Sequence, residues 1–98
     1  MHMTIRHHHV PSEKVEQVSR RVDTDWIEKM RRQPGFVSAY AVRLDEEKLT
    51  FVTAFVDEST ARKGVEASVA WVSQRLMDQD VEVQDEWEGP VVAHAGQD

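Results

Sequence analysis

The sequence predicts a two-layer α+β domain, with one antiparallel sheet and two helices against one side of it. Three observations carry this. Phe36 to Val56 reads FVSAYAVRL, DEEK, LTFVTAFV, two β-rich runs joined by a short charged connector, which is a hairpin signal. Two longer stretches, Ser12–Gln33 and Asp57–Asp78, repeat apolar residues at helical spacing. A short strand-like run precedes the first helix and another follows the second, so the order is βαββαβ. Right-handed crossovers then put both helices on the same side of the sheet.

The first strand is Met3–Val10, MTIRHHHV, ended by Pro11. Alternation puts Ile5, His7 and His9 on one face and Arg6, His8 and Val10 on the other. In the first helix Val15, Val18, Val22, Trp26 and Met30 form the apolar stripe, widened by Ile27. Ser12 is the expected N-cap, and Pro34-Gly35 ends the helix.

The hairpin has no polar side. Phe36, Tyr40, Val42 and Leu44 share one parity, and Val37, Ala39 and Ala41 the other. In its second strand Leu49, Phe51 and Phe55 oppose Val52, Ala54 and Val56. One face can be covered by the helices; the other needs a partner. A two-fold dimer, in which the patch meets itself, is the expected remedy.

Asp57 or Ser59 is expected to cap the second helix. Ala61, Val65, Ser68, Val72 and Leu76 form its stripe, with Val69 beside it and Trp71 about a quarter turn away. Gly64 predicts a break or a 3₁₀ segment. Val81–Glu88 alternates as the last strand, interrupted by Gly89-Pro90. Val91–His94 is a short apolar coda before the polar end Gly96-Gln97-Asp98. The whole is a ferredoxin-like βαββαβ domain spanning 1–98, with a core at 3–89 and a C-terminal extension at 90–98 that is expected to cross to a partner.

The 98 residues make one domain, and 40% hydrophobic with 31% charged content makes it globular. A net charge of −6 argues against nucleic-acid partners and anionic membranes. There is no cysteine, which excludes disulfides and thiolate chemistry. No apolar run reaches the ~18 residues of a membrane span, so a cytoplasmic location is expected. Met1-His2 reads as a remnant ahead of a native start at Met3. Gly-rich phosphate loops, HExxH and Ser-His-Asp spacings do not occur.

PGFVSAYAVRL, LTFVTAFVDE, EASVAWVSQRL and the closing EGPVVAH resemble the antibiotic biosynthesis monooxygenase-like domains of the dimeric α+β barrel superfamily. The resemblance implies a homodimer in which two four-stranded sheets meet, with a cavity between sheet and helices in each subunit. It implies cofactor-independent oxidation of quinols or polycyclic aromatics in some members, haem degradation in others, and no assigned activity in many. The chain departs from the enzyme patterns: its second helix has no histidine, and it has no asparagine for a haem-degrading site. The residues thus leave open whether the protein is an enzyme.

Candidate site residues follow. His7 and His9 converge on one strand face and are the candidate catalytic bases; two imidazoles without a third ligand predict no metal site. Tyr40, Trp71 and His8 are the candidate ligand-binding residues, a phenol, an indole and an imidazole suited to a small planar or aromatic molecule. No cofactor is expected.

Overall fold

The computed structural model describes residues 1–96; Gln97 and Asp98, the last of the expected polar end, lie outside the described residues. The strands are β1 (His2–His9), β2 (Phe36–Asp45), β3 (Lys48–Phe55) and β4 (Glu82–Pro90). They form one antiparallel sheet in the order β2-β3-β1-β4. This is the ferredoxin-like arrangement, with both helical layers on one side. β4 runs through Gly89 to Pro90, past the expected interruption, because Pro90 sits last in an outer strand where its missing N–H costs no ladder bond.

The first helical stretch consists of α1 (Val15–Arg21), a π-helical turn at Val22–Trp26 and α2 (Ile27–Arg31). Its predicted stripe is the core: Val15, Val18, Val22, Trp26 and Met30 are all buried. Burying side chains of this size contributes about 1.5–3 kcal/mol each. The helix begins later than predicted. Lys14 is the N-cap residue, and Ser12 stands in the preceding turn with its hydroxyl turned to Glu13.

The last helix, α3 (Glu58–Arg75), is capped by Asp57 as expected. The Asp57 carboxylate accepts the Thr60 N–H at 2.8 Å, and the Thr60 hydroxyl faces the Asp57 N–H in return, a capping box. That hydrogen bond holds the Asp57 carboxyl below its ordinary range. No break occurs at Gly64, and the buried stripe is Ala61, Gly64, Ser68 and Trp71. Trp71 is therefore on the core side, and Val69 is exposed.

The hairpin's parity also differs from a simple alternation. Phe36 pairs with Phe55 but Ser38 with Ala54, so Val37 is an extra residue in β2. Beyond it the strand is rephased. Phe36 and Ala39 pack on the helix-side core, while Tyr40 is left exposed on the other face.

Candidate functional site

The helix-facing side of β1 carries an uncommon run for a sheet interior. His2, Thr4, Arg6 and His8 alternate there and are all buried. Buried polar side chains need partners, and most of these find one. The Arg6 guanidinium donates to Glu86 on β4. His2 Nε2 donates to Glu88 at 3.1 Å, and Arg62 reaches the same carboxylate from α3. These contacts hold the Glu88 carboxyl below its ordinary range.

His8 is the exception. It is 1% exposed, and neither ring nitrogen has a hydrogen-bond partner among the described residues. Its strand neighbours are Leu49 on β3 and Val83 on β4, and its ring lies 4.5 Å from that of Phe51. Burial, helped by the charge of Arg6, lowers its pKa to about 4, against an opposing pull from the nearby backbone of Arg6 and Leu49. At neutral pH it is an uncharged imidazole with one donor and one acceptor to offer.

A cleft of about 320 Å³, which His8 does not line, opens between α3 and the β1–β4 side of the sheet. Val69, Val72, Leu76, Val81 and Val83 give it apolar walls, and Arg6 lies at its base. A separate groove of about 540 Å³ runs between the helices and is lined by Trp71, Asp25, Arg21 and Arg75 among others. There the Trp71 indole donates to Asp25 at 2.9 Å, and Arg75 stands 3.6 Å from the same carboxylate.

The other side of the sheet is open. Tyr40, Val52, Ile5 and Trp87 pair in register, one from each strand, in a continuous row across it. In the next row His7 Nδ1 is hydrogen-bonded to Thr50 Oγ1 at 2.8 Å, and its ring meets Trp87 edge-on at 5.3 Å. Tyr40 and Trp87 are more than half exposed. Val91–His94 borders an apolar groove of about 410 Å³ with Met3, Ile5 and Trp87, and Val91 N–H donates to the Met1 carbonyl at 2.9 Å.

The candidate residues thus fall in three places. His7 and Tyr40 are on the open face, with His9 at its margin donating to Glu47 at 3.0 Å. His8 is between sheet and helices, and Trp71 is at the groove between helices. Within one chain Tyr40, Trp71 and His8 do not line a common pocket, because the bulge at Val37 leaves Tyr40 on the face away from α3. Among the described residues no group of three His, Cys, Asp or Glu is placed to hold a metal ion. Arg6 and Glu86 were not singled out from sequence. The available signal was a cation sharing a strand face with His8 and an acid in the strand that closes the fold.

No family model and no curated protein sequence matches the chain. Solved structures do. HapK from Hahella chejuensis is similar over 100% of this chain and 99% of its own, with a TM-score of 0.82 at 14% identity. A dimeric ferredoxin-like protein from an uncultured marine organism is similar over 98% of each chain, with a TM-score of 0.75 at 13% identity. A point mutant of SnoaB from Streptomyces nogalater, a cofactor-independent oxygenase, is similar over 98% of each chain, with a TM-score of 0.63 at 12% identity. Antibiotic biosynthesis monooxygenases are also among the structures that share the architecture. The chain therefore has the ferredoxin-like α+β fold of antibiotic biosynthesis monooxygenase-like proteins, as the resemblance implied.

Proposed function

We propose that the protein is a homodimer joined through its open sheet faces, each subunit binding a small planar or aromatic molecule in the cleft between α3 and the sheet. The observation that carries the ligand reading is the cleft itself: apolar walls over a buried Arg6 that is paired with Glu86. Apolar pockets with a few convergent polar groups are the usual form of a small-molecule site. The dimer reading rests on the exposed row from Tyr40 to Trp87. An apolar patch of that extent on a sheet face is a contact surface in wait of a partner. The dimeric ferredoxin-like neighbour supports it.

Flat aromatic ligands should raise the melting temperature, since binding to the folded state stabilises it. No shift with any of a panel of quinols, anthrones and naphthalenes would remove the ligand reading. Light scattering should give twice the chain mass of 11.3 kDa.

A second reading places cofactor-independent oxygenation of a quinol or polycyclic aromatic in the same cleft. The fold shared with SnoaB supports it, as do the apolar walls, which limit water at a reacting centre. His7, on the open face, and His9, at its margin, are not beside this cleft. Oxygen uptake with an anthrone or quinol, compared with buffer alone, decides between binding and turnover.

A further inference from the structure

We propose that Arg6 sets the specificity of the cleft, and that the ligand is a one- or two-ring aromatic molecule whose neutral carbonyl oxygen accepts hydrogen bonds from that guanidinium. This rests on the cleft reading above and names the ligand class. The cleft offers spare donors. A guanidinium carries five N–H groups. Among the described residues the Arg6 side chain makes one hydrogen bond, from Nη1 to Glu86. Arg6 is a buried residue, yet none of its nitrogens is both sealed from solvent and unpartnered. Its remaining N–H groups therefore reach open space, and Arg6 is one of the residues that line the cleft.

Charge decides what those donors take. Glu86 already balances the guanidinium, in a chain of net charge −6. A carboxylate ligand would share Arg6 with Glu86 and lose its hydration among Val69, Val72, Leu76, Val81 and Val83. A neutral carbonyl takes the spare N–H groups and brings no second anion. Size sets a further limit. A volume of about 320 Å³ is at the lower end of small-molecule pockets, which run from ~300 to ~1,000 Å³. One or two fused rings fill it, and a longer ring system projects past the exposed Val69 and Met77 into solvent.

The test measures dissociation constants of naphthalene, 2-acetylnaphthalene, 2-acetylanthracene and 2-naphthoate for the full chain. In the wild type 2-acetylnaphthalene should bind roughly tenfold tighter than naphthalene, and 2-naphthoate no tighter than naphthalene. The extra ring of 2-acetylanthracene should gain nothing. Arg6→Met should abolish the preference for the carbonyl and leave naphthalene unchanged. Arg6→Lys keeps a cation for Glu86 but loses the planar fork, and should lose most of the preference. Glu86→Gln frees the guanidinium and should strengthen 2-naphthoate roughly five- to tenfold.

If the wild type binds naphthalene and 2-acetylnaphthalene equally, or if the preference survives Arg6→Met, the cleft stands as a ligand site but the role of Arg6 is overturned. A wild type that prefers 2-naphthoate overturns the neutral-carbonyl class, and one that prefers 2-acetylanthracene overturns the size limit. Should Arg6→Met fail to fold, Arg6→Lys and the wild-type comparison decide. If no probe binds the wild type, the cleft reading falls and this inference with it.

Discussion

Gly64 of α3 lies against the ring of Phe55, so close that a Cβ at position 64 would overlap it. The glycine is there to let helix and sheet approach. Phe55 is completely buried, packed edge-on to Phe36 at 6.0 Å, and has little room to yield. Gly64→Ala should gain up to ~1 kcal/mol of helix propensity and lose about 1–3 kcal/mol to overpacking. With the loss near its upper end, the net destabilisation should be about 1–2 kcal/mol, seen as a lower denaturant midpoint. Phe55→Leu in the same background should recover part of it. A more stable Gly64→Ala protein would show that α3 can lift off the sheet at no cost.

Trp26 and Ser68 make one of the hydrogen bonds that tie the first helical stretch to α3. The indole N–H donates to Ser68 Oγ at 2.9 Å, and both residues are buried. Ser68→Ala leaves that N–H unpaired, at about 1–3 kcal/mol, offset by ~0.5 kcal/mol of helix propensity. Urea unfolding should register a loss of about 1–2 kcal/mol, and an unchanged midpoint would mean that the indole finds another acceptor.

Tyr40 tests the dimer. In the proposed dimer a glutamate there would put a charge into an apolar contact, where an unpaired ion costs several kcal/mol. Tyr40→Glu should weaken association on the order of 100-fold and halve the light-scattering mass at micromolar concentration. The row it belongs to faces away from the core, so circular dichroism should stay that of the folded chain. A full-mass dimer would place the contact elsewhere.

The tail makes a separate prediction. Val91–His94 lies along the apolar groove beside Met3, Ile5 and Trp87, at the border of the same open face. A chain ending at Gly89 should dimerise more weakly if these residues reach the partner, and an unaltered dissociation constant would assign them to their own subunit.

His8 sets a pH dependence with a definite sign. Its folded pKa of about 4 lies below the ordinary 6.5, so between those values the unfolded chain binds a proton that the folded chain refuses. Stability therefore falls as pH drops through that window, by about 3 kcal/mol in total. The Glu88 carboxyl, held low by His2 and Arg62, adds its own loss at lower pH. Subtracting the profile of His8→Leu isolates the histidine: the pH-dependent part of the difference should vanish above the ordinary 6.5 and grow toward the folded value of about 4.

The fold was legible in the sequence because its signals are periodic. Val15, Val18, Val22, Trp26 and Met30 repeat at helical spacing and are all buried, and the two faces of β1 follow from simple alternation. The bulge at Val37 was not legible, since a β-branched residue in a strand gives no sign of being the extra one. Without it, Phe36 and Tyr40 share a parity; with it, they part company. Trp71 was misplaced because Gly64 and Ser68 belong to the buried stripe of α3 and carry little hydrophobic signal of their own. The candidate site was least legible of all. Arg6 and Glu86 are 80 residues apart and become partners only once β1 and β4 are in register.

The irregularities in the sheet fall on its outer strands. β1 and β3 pair without a shift, whereas β2 slips against β3 at both ends and β4 slips against β1 beside His8. A kinked margin is a poor template for another strand. Such margins disfavour sideways addition of one chain to another. The regular, flat part of the sheet is offered only by its face, and a face has one partner to give. In the proposed dimer, growth of the assembly would therefore be self-limiting, and a bulge of a single residue would help to enforce the limit.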